Sequence, residues 1–129
     1  MFFKTEYNKV QPYITKDGSI IRELFHPDTH GNKNQSLAEA FIPPDFETIP
    51  HKHPESEEIY HITEGTGLMR SGKEKLPVKA GDTIYLPPGT PHQIKNTGNT
   101  SLKILCCCSP PYSHDDTELL IWKKTTLTD

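Results

Sequence analysis

The sequence predicts an all-β domain, a sandwich or a closed barrel, on three observations. Short candidate strands recur along the chain with turn residues between them. Only 33% of the residues are hydrophobic and 12 are Pro, a balance that suits short strands joined by turns better than packed helices. At 129 residues the chain has the size of one domain, enough for one core and too little for two. Residues 1–129 are therefore read as a single domain, with peripheral extensions at 1–18 and 115–129.

The strands follow in order. Ser19 to Phe25 reads as one, and Ser36 to Ile42 as a second that Pro43-Pro44-Asp45 ends. Between them, residues 29–35 read as an exposed loop, with His26 and His30 in solvent. A third strand includes His51 and His53. Glu58 to Glu64 is a fourth, closed by Gly65-Thr66-Gly67. Gly67 to Arg70 and Glu74 to Val78 form a hairpin over Ser71-Gly72-Lys73. Asp82 to Leu86 follows the Ala80-Gly81 turn. Gln93 to Lys95 leads into Asn96-Thr97-Gly98-Asn99, and Ser101 to Cys107 comes next. Pro87-Pro88-Gly89 suits a type II turn, which needs a positive φ at its third residue and so favours glycine there. Near the end, Leu119-Leu120-Ile121-Trp122 is an apolar run short enough to be strand or helix, and a partner subunit is one place to bury it.

Charge and composition exclude several classes of function. A net charge of -3 and a pI of about 6.1 lack the basic footprint of a nucleic-acid binder. No apolar run spans a bilayer, and Met1-Phe2-Phe3-Lys4 is too short an opening for a signal peptide. The expectation is a cytoplasmic protein with no nucleic-acid or membrane partner. Cys106, Cys107 and Cys108 are consecutive, which does not make an extracellular disulfide framework. On a strand, Cys106 and Cys108 face one way and Cys107 the other, as buried structural thiols with no ligand role.

Strand alternation brings out one constellation. His51 and His53 flank Lys52, so both imidazoles face one side. Glu58 begins the next strand, close enough for its carboxylate to approach both rings. His92 arrives from another strand after the Pro88-Gly89 turn. Imidazoles with one carboxylate suit a divalent transition metal, and Mn, Fe, Ni, Co, Cu and Zn all accept such a set. Octahedral coordination would leave two adjacent positions for water or substrate. A bidentate organic anion fits them and neutralises the remaining charge.

The stretch from His51-Lys-His53 through Glu58 to Gly65 resembles the first motif of the cupins, HxH followed by a spaced Glu and a Gly. Gly81 to Asn96, with Pro87, Gly89 and His92 at their places, resembles the second, GxxxxxPxGxxHxxxN. The glycine that normally precedes the first motif is absent; Asp45 or Phe46 stands in that region. The resemblance implies a double-stranded β-helix, or jelly roll, that is a homodimer. It also implies one divalent metal on His51, His53, Glu58 and His92. By the same analogy it implies a dioxygenase- or decarboxylase-like enzyme, or an isomerase or lyase, acting on a small oxygen-rich anion. Glu58 is the candidate base. A non-catalytic metal- or ligand-binding module is the alternative.

Further residues are weighed by strand phase. Tyr60 and Ile62 share the face of Glu58, and Ile94 and Asn96 share that of His92, so these are candidate pocket walls. Asn96 closes its turn through backbone hydrogen bonds. His61 faces away from the metal. Arg22 is a candidate for anion capture, against the commoner reading of a surface or subunit-interface salt bridge. Tyr112 and His114 would cover the pocket mouth and supply a proton donor, or else belong to an ordinary C-terminal loop.

Overall fold

A computed structural model describes residues 1–122. The strands are β1 (Tyr13–Ile14), β2 (Ile20–Phe25), β3 (Ser36–Ile42), β4 (His51–Lys52), β5 (Glu57–Glu64), β6 (Thr66–Ser71), β7 (Glu74–Lys79), β8 (Thr83–Leu86), β9 (Gln93–Asn96), β10 (Leu102–Ser109) and β11 (Glu118–Leu119). One turn of helix, α1 (Pro27–His30), joins β2 to β3. A six-stranded sheet runs β1-β2-β3-β10-β5-β8, a three-stranded sheet runs β7-β6-β9, and β4 pairs with β11. Every strand pairing is antiparallel. The sheets do not close into one hydrogen-bonded cylinder; they form the two-layered jelly roll of the double-stranded β-helix.

Period-two burial explains the packing. On β3 and β10 every second residue is buried, and β5 alternates exposed with buried up to Ile62. The inward set meets across the layers: Ile42, Ile62, Leu102 and Ile104 from the large sheet, Met69, Val78 and Ile94 from the small one. The first four are at most 1% exposed, each worth about 1.5–3 kcal/mol of burial. Pro77, without an amide N–H, is tolerated because β7 is an edge strand.

Two tight turns hold the strands that carry the histidines. At Gly65, between β5 and β6, φ is +87°, and a Cβ there would stand 2.5 Å from the Ser101 carbonyl oxygen. Only glycine permits that approach. At Pro87-Pro88-Gly89 the Thr90 N–H donates to Pro87 O at 3.1 Å and Gly89 has φ +78°, as a type II turn requires. The Gly89 N–H then donates to His53 O at 2.8 Å, docking this turn on the histidine pair.

Several expectations need correction. Residues 29–35 are not all loop, because Thr29 and His30 complete α1. His26 is not in solvent: it is 9% exposed, its Nδ1 caps α1 by accepting from the Asp28 N–H, and its Nε2 lies 2.7 Å from Tyr112 O. The third strand is shorter than expected and stops at Lys52, one residue before His53. Two short stretches of the terminal segments form strands. β1 pairs with β2, and β11 pairs with β4 at Glu118↔Lys52 and Leu119↔His51. The apolar run near the end begins as strand, with Leu119 43% and Ile121 101% exposed. Residues 123–129 of the C-terminal extension lie outside the described residues. Among the described residues no helix is long and apolar enough to cross a membrane.

Candidate metal centre

The backbone brings the histidines together before any side chain acts. His51 and His92 exchange both backbone hydrogen bonds, at 3.0 and 2.8 Å, as an isolated antiparallel bridge. Directly opposed residues send their side chains to the same face. Their ring centroids are 4.2 Å apart, and the His53 ring lies 5.1 Å from His51 and 5.6 Å from His92. Each ring offers a nitrogen such that the three lie within 4.8 Å of one another, and all three residues are buried.

Each ring is also oriented by a second partner. His51 Nδ1 is 2.9 Å from Ile49 O, and His92 Nδ1 is 2.9 Å from Thr90 O. A carbonyl only accepts, so both Nδ1 atoms carry hydrogen and both Nε2 atoms carry a lone pair. Thr117 does the same for His53. Its hydroxyl donates to Ser113 O at 2.8 Å and so accepts, at 3.2 Å, from His53 Nδ1. Ligating histidines have this arrangement, with the far nitrogen hydrogen-bonded and the near one free.

Glu58 completes the cluster from β5. Its Oε1 is 3.4 Å from His53 Nε2 and 3.5 Å from His92 Nε2. Glu58 Oε1 and His92 Nε2 are buried and have no hydrogen-bond partner. Such atoms can face one another inside a protein only with a proton or a metal ion between them. Three buried imidazoles within reach of one another, with a carboxylate beside two of them, are a donor set that fits a divalent metal. The neighbouring histidines hold the Glu58 carboxyl well below the usual carboxylate range, overcoming its burial. Burial lowers the His51 pKa to about 4, and the Glu58 carboxylate raises that of His53 against the opposing effect of burial.

Beside the cluster lies a cavity with about 40 Å³ open to the centre of a water-sized sphere, room for roughly three waters. Its walls carry the apolar Ile21, Ala38, Ala40 and Ile104 of the large sheet and Ile94 of the small one, with Tyr60, Cys106 and Cys108 also from the large sheet and Asp17 from the turn between β1 and β2. Of the candidate wall residues, Tyr60, Ile94 and Tyr112 line it. Ile62 does not; at 0% exposure it belongs to the core beneath. Arg22 does not either. Strand alternation turns it outward, where it stacks 4.4 Å from the Tyr7 ring and donates to the Tyr7 hydroxyl at 2.7 Å. His114 lines an outer cleft of about 380 Å³. Tyr13, Glu23 and Tyr112 line both spaces and form the wall between them. His61 is exposed and its Nδ1 is 2.8 Å from Thr83 Oγ1, on the side away from the cluster. Asn96, 1% exposed, donates to Ile42 O and Thr100 O and accepts from the Gly98 N–H, tying two loops rather than one.

Sequence reasoning missed three residues. Thr117 leaves no local signal, because its role depends on a return of the chain from the C-terminal side. Cys108 was legible in phase but not in partner: its Sγ is 3.2 Å from Glu58 Oε2. Asp17 stands in Asp17-Gly18-Ser19, a turn pattern, and its Oδ2 lies 3.6 Å from His51 Nε2.

Comparison with known proteins agrees with this construction. An uncharacterised protein of Methanocaldococcus jannaschii is 64% identical over 117 residues, covering 91% of this chain and 94% of its own. A Thermotoga maritima protein described as oxalate-binding is 39% identical over 82 residues, covering 64% of this chain and 68% of its own. The crystal structure of a predicted oxalate decarboxylase from the same organism superposes with a TM-score of 0.71 at 29% identity, covering 81% of this chain and 96% of that one. The polyketide cyclase RemF of Streptomyces resistomycificus has a TM-score of 0.80 at 19% identity, over 96% and 89% of the two chains, which shows a shared fold. The cupin-domain family model matches residues 38–108, from β3 through β10 and across both histidine motifs. With its fold, its paired motifs and its relatives in agreement, the chain belongs to the cupin family.

Proposed function

We propose that this cupin is a metal-dependent enzyme acting on a small oxygen-rich organic anion, with decarboxylase- or dioxygenase-like chemistry. The observation that carries the reading is the convergence of Glu58 Oε1 with His53 Nε2 and His92 Nε2, at 3.4 and 3.5 Å, with Glu58 Oε1 and His92 Nε2 buried and lacking a hydrogen-bond partner. His51, His53, Glu58 and His92 would hold one divalent ion of the Mn, Fe, Co, Ni, Cu or Zn group. A bound metal supplies Lewis acidity toward a carboxylate or enolate oxygen, and electron transfer to oxygen if it is redox-active.

The chain's own residues do the rest. Ile49 O, Thr90 O and Thr117 Oγ1 fix the three rings so that each presents its lone pair inward. The cavity admits an anion of very few heavy atoms, and its apolar walls exclude bulk water, which strengthens charge interactions inside. The Glu58 carboxylate, which the neighbouring histidines keep ionised, is the candidate base. The Tyr112 hydroxyl, 2.8 Å from Thr15 Oγ1 and 3.0 Å from His114 Nδ1, connects the cavity wall to the outer cleft and is the candidate proton donor. The name of the Thermotoga relative makes oxalate the first ligand to try.

A second reading, a binding module without catalysis, has a specific observation behind it. Burial raises the pKa of Tyr60, Cys106, Cys108 and Tyr112, so these hydroxyl and thiol groups hold their protons tightly. We also propose that the protein is a cytoplasmic homodimer, with exposed Ile14, Ile59 and Tyr85 as interface candidates; sedimentation velocity tests this. The functional test is elemental analysis of protein purified without added metal. Assays for carbon dioxide release under argon and for oxygen uptake then follow, with oxalate, keto acids and diketones. Stoichiometric metal with turnover supports the enzyme. Stoichiometric metal with tight anion binding and no turnover supports the module, and absence of metal affinity ends the enzyme and leaves only a module that binds its ligand without metal.

A further inference from the structure

We propose that Asp17 is a second carboxylate of the metal centre, occupying the place an anionic ligand takes and yielding it when the anion binds. The inference rests on the metal reading above and deepens it. Asp17 lies in the turn between β1 and β2 and is 8% exposed. Its Oδ1 accepts from the Ser19 N–H at 2.9 Å and the Ser19 hydroxyl at 2.6 Å. Gly18, with φ +91°, makes this tight return possible. The Asp17 carbonyl accepts from the Ile49 N–H at 2.8 Å, so the turn is fastened to the segment that delivers His51.

The other oxygen, Oδ2, is 3.6 Å from His51 Nε2. Because His51 Nδ1 donates its hydrogen to Ile49 O, this Nε2 has a lone pair and no hydrogen to offer. A carboxylate oxygen and an imidazole lone pair therefore face each other, as Glu58 Oε1 faces His53 and His92 at 3.4 and 3.5 Å. Ligands at about 2.1 Å from one ion and at right angles stand about 3 Å apart, and the 3.6 Å from Asp17 Oδ2 to His51 Nε2 is about 0.6 Å beyond that spacing. Glu58 abuts two of the histidines and Asp17 abuts the third.

Charge gives this placement a consequence. Three neutral imidazoles and Glu58 leave a divalent ion with one positive charge, and Asp17 cancels it. The resting centre is then electrically balanced, and an incoming carboxylate competes with Asp17 both for position and for charge. Asp17 thus favours the metal and opposes the anion. A residue that served only to shape the turn would affect neither in this opposed way.

The test uses Asp17→Asn in the full chain, with Mn(II) and then sodium oxalate as probes. Asparagine keeps an oxygen for Ser19 and places a neutral amide opposite His51. Mn(II) affinity, read by calorimetry and by the electron paramagnetic resonance of free Mn(II), is expected to fall about tenfold or more. Oxalate affinity for the Mn(II)-loaded variant is expected to rise about tenfold over wild type. Ser19→Ala, which removes one restraint on the turn and keeps the carboxylate, should hold Mn(II) affinity within about threefold. If Asp17→Asn changes neither affinity, lowers both, or is matched by Ser19→Ala, the role of Asp17 is refuted while the metal reading stands. If wild-type protein does not bind Mn(II) or any other first-row divalent ion, the metal reading fails and takes this inference with it.

Discussion

The Cys108 thiol lies 3.2 Å from Glu58 Oε2, on the oxygen opposite the one that faces His53 and His92. The contact follows from register, since Cys108 on β10 is paired with Glu58 on β5. Burial and the Glu58 charge push the thiol pKa far up, so the sulfur keeps its hydrogen and donates it. Cys108 thereby orients the carboxylate without touching the metal position. Cys108→Ala is expected to lower metal affinity up to about tenfold with the fold intact, and Cys108→Ser to recover most of it. Calorimetric metal titration of the two variants checks this.

Thr117 plays the matching part for His53. Thr117→Val keeps the shape and removes the hydroxyl, so His53 can adopt the other tautomer or rotate. Metal affinity should drop about ten- to hundredfold, and circular dichroism should be unchanged. An affinity equal to wild type would show that the ring is held by packing alone.

The ligand set itself makes a paired prediction. His92→Ala and His51→Ala should abolish stoichiometric metal content measured by elemental analysis. His61→Ala, on the opposite face of β5, should leave it unchanged. A comparable loss at His61 would mean that the inward and outward faces have been exchanged.

Metal binding should strengthen with rising pH. In the metal-free protein the Glu58 carboxylate raises the pKa of His53 above its ordinary value near 6.5. The stability that this protonated pair contributes is full below that value and disappears as pH rises through the raised pKa. A metal needs the unprotonated ring, so affinity climbs across the same window and binding expels a proton. The lowered pKa of His51, about 4, keeps that ring ready throughout. Calorimetry at pH 6, 7 and 8, in buffers of different ionisation enthalpy, reads both the climb and the proton count.

The frame can be tested apart from the chemistry. Gly65→Ala places a methyl 2.5 Å from the Ser101 carbonyl oxygen at a positive φ, and should cost about 2–4 kcal/mol of stability by denaturant titration. Gly72→Ala also has a positive φ but no atom within 4 Å, and should cost about 1 kcal/mol.

What was legible in the sequence was local. His51, Lys52 and His53 carry their own alternation, and Pro87-Pro88-Gly89 carries its own turn, so the histidine cluster and its inward sense could be read from the chain alone. The same alternation correctly separated Cys107 from its neighbours and His61 from Glu58. It failed where facing the interior differs from facing the cavity. Ile62 points inward yet lies in the core, a question of depth along the barrel that strand phase does not contain. Arg22 stood between anion capture and the commoner surface reading because nothing local said which face of its strand was outside, and the structure places it outside, against Tyr7. His26 and Thr117 depend on the segment 112–117 folding back over the barrel, a long-range contact for which no short pattern exists.

The alternation of β10 leaves Cys107 half-exposed beside Gln35, while Cys106 and Cys108 sit inside at 8% and 2% exposure. Thiolate-seeking reagents should therefore find one address among the three sulfurs. A dye or spin label attached there would stand on the outer wall, one residue in sequence from the sulfur that steadies Glu58, and could report on the loaded and empty states without any engineered handle.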